Sequence, residues 1–113
     1  MDKPSPVPEP GFYYHYKHDP HGPLNRYAYR VLGTGEHSED DCRPEDKYMV
    51  VYRALYEDAR AYQNGKLFDL RPLAMFMGDA TKDGAAVPRF RKITNPEIIA
   101  VLEKTEKEMY RSG

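Results

Sequence analysis

The sequence of 113 residues has no tryptophan, one cysteine and no apolar run that approaches the length of a membrane-spanning helix. Because Cys42 has no possible partner within the chain, we expect a free thiol in a reducing cytoplasm. The formal net charge of -1 excludes the strongly positive surface of a dedicated DNA-binding protein, although it allows a local basic strip. The N-terminal stretch also lacks the apolar segment of a secretion signal. We therefore predict a cytoplasmic protein that does not contact a membrane.

Tyrosine is the residue in excess, with ten Tyr beside four Phe. Its large apolar ring and polar tip suit half-buried sheet surfaces and binding faces alike. A chain of this length forms one domain at most, with a modest core. The prolines that alternate with other residues from Pro4 to Pro10 predict a disordered, extended arm over residues 1–11.

The stretch VVYRALYEDARAYQNG, which starts at Val50, fits two periods. Its aromatic residues recur at helical spacing, but the alternation between Val50 and Tyr56 also fits a strand. Residues 48–57 are rich in Val and Tyr, which favour the pleated state. We therefore predict a strand over 48–57, followed by a connection that turns at Asn64 and Gly65.

Four other segments alternate in the same way and are separated by loops rich in Gly, Pro and Asp. They are FYYHYKH, RYAYRVL, KLFDLRP and VPRFRKI. Gly33 and Gly35 indicate a bulge at the end of the second strand. LAMFM is typical of a short buried turn, and GDATKDGAA of a loop that turns at Asp83 and Gly84.

Asn95 and Pro96 predict the start of a C-terminal helix over residues 95–113, as its capping residue and its first-turn proline. The apolar seam of this helix would consist of Ile98, Val101, Leu102, Thr105 and Met109. Five antiparallel strands and one helix predict a mainly β fold. We expect a small SH3-like curled sheet or barrel over residues 12–94, with the helix packed on it.

Five sequence blocks, YYHYK, EHSE, VVYRALY, RPLAMF and PRF, occur in this order along the chain. Together they resemble the bacterial family called domain of unknown function 1653, over roughly residues 12–93. The resemblance implies a compact β-rich domain and no particular reaction. The chain departs from the family pattern at His18, where a glycine is typical, and in a longer loop over residues 18–26.

If the apolar side of every strand faces inward, the opposite side chains face outward together. Neighbouring strands lie about 4.8 Å apart, so a meander would gather these side chains into one cationic strip. The strip would contain Tyr13, His15, Lys17, Arg30, Arg53 and Arg71. We predict that it binds a polyanion, with single-stranded nucleic acid as the leading partner and a protein as the alternative. If Glu57 and Asp69 neutralise the strip, it is an ordinary solvated surface.

The stretch GEHSEDDC provides a second candidate site at His37 and Glu39. A histidine beside a carboxylate can act as a general base, and with His15 close by it would form a hydrolase-like or metal-assisted site. The stretch contains neither His-Glu-x-x-His nor Cys-x-x-Cys, so a solvated loop is the alternative.

These patterns favour a binding module over an enzyme, with no cofactor and no metal. We expect a monomer, or a weak dimer if the C-terminal helix docks between chains. A concave pocket that joins His15 and His37 would favour the enzyme, whereas an open basic face would favour binding.

Overall fold

The computed structural model describes residues 7–63 and 68–110 of the chain. Five antiparallel strands form one sheet: β1 (Gly11–His15), β2 (Ala28–Glu36), β3 (Tyr48–Ala54), β4 (Asp69–Pro72) and β7 (Phe90–Lys92). Their order across the sheet is β4-β3-β2-β1-β7. Two further strands, β5 (Asp79–Lys82) and β6 (Ala85–Pro88), pair in a separate hairpin. The helices are α1 (Leu73–Met77) and α2 (Pro96–Met109), and a short 3₁₀ turn covers Pro44–Asp46.

The prediction of a mainly β fold with a C-terminal helix is confirmed. The sheet stays open, since β4 and β7 are its outer strands in the part of the chain that the structure describes. It is nevertheless curled. A flat sheet would hold β3 and β7 about 14 Å apart, three strand spacings, yet the ring centroids of Tyr52 and Phe90 lie 5.8 Å apart. The curled sheet is therefore compatible with the structure, whereas a closed barrel is not.

One side of the sheet, which we call the aromatic face, packs against α1. Its core contains Tyr13, Val31, Val50, Tyr52, Phe76 and Phe90. Phe76 from α1 is 2% exposed and stacks on Phe90 at a centroid distance of 4.1 Å. Offset and edge-to-face ring pairs of this kind add stability beyond the area that they bury. The short LAMFM segment is therefore a helical turn that delivers one aromatic ring to the core.

The opposite side, the helix face, packs against α2. Its core contains Phe12, Ala28, Leu55, Ile93 and Leu102. The predicted cap is confirmed, because the Asn95 side chain accepts hydrogen bonds from the backbone N–H groups of Glu97 and Ile98. The predicted seam is partly wrong: Val101 is 47% exposed, and the buried stripe is continued instead by Ile99 and Tyr110.

The strand prediction for the ambiguous stretch is confirmed by β3, and the predicted bulge lies in β2. The register of β2 against β3 shifts between Val31 and Gly33, which leaves Leu32 as the extra residue. The segment GDATKDGAA differs from the predicted loop. It forms the β5–β6 hairpin, with the turn at Asp83 (φ 52°) and Gly84 (φ 80°) as expected.

Four predictions fall wholly or partly outside the described residues: the turn at Asn64 and Gly65, the start of the strand KLFDLRP, the arm over residues 1–11 and the helix over residues 95–113. Within the described part of the arm, Pro8 is buried. The Tyr13 hydroxyl donates to the backbone carbonyl of Glu9 at 2.8 Å, and Lys92 pairs with the Glu9 carboxylate at 2.9 Å. No helix among the described residues is long and apolar enough to cross a membrane.

Candidate functional site

A cavity of about 290 Å³, which we call the tyrosine pocket, opens beside the aromatic core. Its walls come from β1, β2, β3 and β4 and from the loop after β3. The lining residues are His15, Lys17, Tyr27, Tyr29, Tyr52, Tyr56, Asp58, Arg60, Ala61, Asp69 and Arg71. A concave site with a few converging polar groups is the usual form of a small-ligand site.

The phenol groups of this pocket are held in place by hydrogen bonds. The hydroxyl oxygens of Tyr29 and Tyr56 share a hydrogen bond at 2.5 Å, and Arg71 Nε donates to the Tyr52 hydroxyl at 3.0 Å. Burial raises the pKa of both Tyr29 and Tyr56 above the ordinary tyrosine value. The phenols of Tyr29 and Tyr56 are therefore neutral at physiological pH, and they offer polar hydroxyls rather than negative charge to a ligand.

His15 is a half-buried imidazole at the end of β1, packed edge-on against Phe90 and stacked on Tyr27. Burial, followed by the positive charges of Arg71, Lys17 and Arg89, lowers its pKa from 6.5 to about 4. The ring is thus neutral at pH 7. The backbone N–H of Lys17 donates to His15 Nδ1 at 3.2 Å, which leaves the ring proton on Nε2 as a hydrogen-bond donor.

The loop after β3 brings Arg60 to the mouth of the pocket. The Asp58 carboxylate accepts hydrogen bonds from the backbone N–H groups of Arg60 and Ala61, at 2.8 and 2.9 Å. It also pairs with Arg26 at 3.4 Å, so its negative charge has partners within the fold.

Tyr27 and Tyr62 adopt left-handed backbone angles (φ 62° and 61°), a conformation that bulky residues rarely adopt. Such backbones cluster at binding and active sites.

The six residues of the predicted cationic strip do not share one outer face. Tyr13 is 7% exposed and belongs to the aromatic core. His15, Lys17 and Arg71 line the tyrosine pocket. Arg30 and Arg53 pair across neighbouring strands on the helix face. The expectation of a single strip is therefore wrong, whereas half of its members do lie around one cavity.

The strand register explains the division of the strip. Phe12 of β1 is the partner of Arg30 of β2, whereas Tyr13 is the partner of Tyr29. Arg30 consequently projects to the same side as Phe12, and Tyr13 to the side of the pocket tyrosines. Alternation could not assign these faces, because both sides of the sheet are covered and both carry apolar residues.

Arg30 and Arg53 are held by one carboxylate of α2. Glu106 lies 3.2 Å from Arg30 Nη1 and 2.7 Å from Arg53 Nη2, and its side chain is 13% exposed. The Arg53 guanidinium also lies 4.0 Å from the centroid of the Tyr110 ring, a cation–π contact. These two arginines therefore fasten α2 to the sheet.

The second predicted site lies at the other end of β2 from His15. Tyr14 pairs with Ala28 at the start of β2, whereas His37 follows the last residue of that strand. The backbone N–H of Glu39 donates to His37 Nδ1 at 3.0 Å, a local turn contact. Residues 7–63 and 68–110 contain no group of three His, Cys, Asp or Glu side chains that could hold a metal ion. The tyrosine pocket contains His15 and lacks His37.

Most of the residues that line the tyrosine pocket were not among the site residues predicted from the sequence. The predicted strip contains neither Arg60 nor the tyrosines at positions 27, 29, 52 and 56, and Asp69 enters the prediction only as a charge that would neutralise the strip. A signal was present, because His15, Lys17, Tyr52, Tyr56 and Arg71 all fall within the sequence blocks YYHYK, VVYRALY and RPLAMF. Those blocks come from different strands and meet around this cavity.

The fold and the pocket define a small domain built on an open antiparallel sheet with one polar, tyrosine-walled cavity. The chain belongs to the family described as "Protein of unknown function (DUF1653)", which matches residues 11–92 and thereby confirms the resemblance. No curated protein matches the chain. No solved structure matches it either.

Proposed function

We propose that this domain is a binding module that holds a phosphate-bearing ligand in the tyrosine pocket, and that the ligand is single-stranded nucleic acid. The observation that carries the proposal is the convergence of Lys17, Arg60 and Arg71 on a cavity walled by four tyrosines. Proteins that bind single strands combine cations along the backbone with aromatic rings for the bases.

The state of His15 supports an anionic ligand. Burial is the largest cause of the low pKa of this ring, and the three nearby cations that lower it further indicate a positive local potential. A neutral imidazole in such a field can donate Nε2–H to a phosphate oxygen without adding a buried charge. Of the two carboxylates in the lining, that of Asp58 already has backbone partners and Arg26. The remaining positive charge around the pocket favours an anion.

The other functions considered from the sequence have weaker support. An enzyme centred on His37 and Glu39 would need a cleft, and His37 lies apart from the tyrosine pocket. A protein partner remains the alternative ligand for the same basic rim. The packing of α2 on the sheet of its own chain supports a monomer. The proposal also includes a cytoplasmic location, which we expect from the single cysteine.

The test is a fluorescence anisotropy titration with labelled single-stranded RNA and DNA oligonucleotides at low salt. Lys17→Ala is the test variant, because Lys17 is exposed at the pocket. Lys104→Ala is the matched control on the exposed side of α2. We expect Lys17→Ala to weaken binding several-fold and to reduce the salt dependence by the equivalent of about one phosphate contact. Lys104→Ala should leave both unchanged.

NMR titration with the same oligonucleotides locates the contact. The proposal predicts the largest shifts at His15, Lys17 and Arg71, with a smaller response at Arg30 and Arg53. An absence of shifts around the pocket at low salt would refute it. Binding that Lys17→Ala and Lys104→Ala weaken equally would also count against it, since that result indicates a diffuse electrostatic contact.

A further inference from the structure

A second cavity, of about 480 Å³, lies beside the tyrosine pocket, and we call it the edge cavity. It is lined from the end of β1, the loop after it, β7 and the start of α2. Leu24, Ile93 and Ile98 provide an apolar floor. The Tyr14 ring in its wall stacks on the His18 ring at a centroid distance of 3.6 Å. The cavity therefore offers flat and apolar surfaces on which a planar group can pack.

The charge of the edge cavity has one sign. Lys82, Arg91 and Lys92 line it, and its lining contains no aspartate or glutamate. Lys92 pairs with Glu9, and Lys82 Nζ donates to the backbone carbonyl of Tyr16 at 3.3 Å. Arg91 is exposed and has no ion pair or hydrogen bond from its side chain to any described residue. An anionic group at this rim could therefore pair with Arg91 without displacing an ion pair between described residues.

The two cavities meet at β1. His15 lines both of them, Tyr16 lines the edge cavity, and the next residue, Lys17, lines the tyrosine pocket. The contact between Lys82 and the Tyr16 carbonyl places another cation at this boundary. The phosphate backbone of a ligand that extends from the tyrosine pocket into the edge cavity would therefore contact Lys17 and Lys82 before it contacts Arg91.

We propose that the edge cavity is a second subsite, which holds the nucleotide adjacent to the one in the tyrosine pocket. The apolar floor and the Tyr14–His18 stack would receive its base, and Arg91 its phosphate. This inference rests on the proposed function, because it places two neighbouring nucleotides of one nucleic-acid ligand in two cavities that share His15. It makes the minimal ligand a dinucleotide rather than a single nucleotide.

The experiment compares a 5′-phosphorylated mononucleotide with the corresponding dinucleotide and tetranucleotide by isothermal titration at low salt. We expect the dinucleotide to bind at least about tenfold more tightly than the mononucleotide, since a second base and phosphate gain contacts. The tetranucleotide should add little. RNA and DNA series run in parallel show whether the 2′-hydroxyl contributes.

Two variants test the edge cavity separately. Arg91→Ala removes the free cation, and Leu24→Ala removes part of the apolar floor without any change of charge. Each should lower the affinity for the dinucleotide about fivefold or more and leave the mononucleotide affinity unchanged. Arg43→Ala is the control, because Arg43 is an exposed arginine paired with Asp46 outside both cavities. Circular dichroism at the titration temperature verifies that each variant is folded.

The outcomes separate the two proposals. If mononucleotide and dinucleotide bind equally well, and Arg91→Ala changes neither, the second subsite is refuted while the tyrosine pocket stands. If neither ligand binds, both proposals fail. If Arg91→Ala weakens the dinucleotide and Lys17→Ala does not, the linked site is refuted, since one strand would then not occupy both cavities.

Discussion

The two faces of the sheet use arginine in different ways. On the helix face, Arg30 and Arg53 share the Glu106 carboxylate, which lies among α2 and two strands at 13% exposure. On the aromatic face, Arg71 donates to the phenol of Tyr52 and packs 5.6 Å from the centroid of the Phe90 ring. The first pair shares one carboxylate within the fold, which cancels one of its two positive charges. The Tyr52 phenol orients Arg71 without cancelling any of its charge.

This difference indicates which positive charges are available to a ligand. Positive charge remains on the aromatic face beside His15, since Arg71, Lys17 and Arg89 add to the effect of burial in lowering the pKa of this ring. A ligand that competed for Arg30 or Arg53 would have to replace a carboxylate at 2.7–3.2 Å and release α2. We therefore assign stability to Arg30 and Arg53, and binding to the cations that line the tyrosine pocket.

The largest expected effect comes from the apolar contact that joins α2 to the sheet. Leu102→Ala should reduce the free energy of unfolding by about 2–5 kcal/mol, because Leu102 is fully buried and the change leaves a cavity. Val101→Ala is the matched control on the same turn, where the side chain is 47% exposed. Urea denaturation followed by circular dichroism measures both. Equal losses in the two variants would contradict the placement of α2.

A smaller loss is expected when the shared carboxylate is removed. Glu106→Gln keeps the shape of the side chain and should cost about 1–3 kcal/mol, because two partly buried arginines lose their counter-charge. Glu103→Gln, at an exposed position of the same helix, should change stability by less than about 0.5 kcal/mol. Affinity for oligonucleotides should remain unchanged in folded Glu106→Gln. A selective loss of binding would instead place the ligand at Arg30 and Arg53.

Short-range signals in the sequence predicted the elements of the fold well. The Val- and Tyr-rich alternation identified β3, Asn95 and Pro96 identified the start of α2, and Asp83 with Gly84 identified a turn. Each of these features depends on a few adjacent residues and on backbone preferences that act locally. The hairpin strands β5 and β6 were not predicted, because their segments consist mostly of Asp, Ala, Lys and Pro, which are uncommon in strands.

The site was harder to predict, because it depends on which strands are neighbours and on what covers each face. Alternation separated Tyr13 from Tyr14 correctly, but it could not show that α1 covers one side and α2 the other. Arg30 and Arg53 were correctly expected to face the same way. Their partner, Glu106, lies more than fifty residues away in the chain, and no local pattern indicates such a contact.

The smallest expected effect concerns His15 on the aromatic face. Its pKa is about 4 in the folded protein and near 6.5 when unfolded, so the unfolded chain binds more protons between these values. The free energy of unfolding should therefore decrease as the pH falls from 6.5 to 4, by about 1 kcal/mol for a ring that solvent partly screens. His15→Gln should remove this part of the pH dependence, whereas His21→Gln, at an exposed loop position, should retain it. Urea denaturation of the three proteins across this pH range measures the difference. If His15→Gln and the wild type lose stability in parallel, the pKa of His15 is not lowered by its burial and by the cations of the pocket, and His15 does not carry this pH dependence.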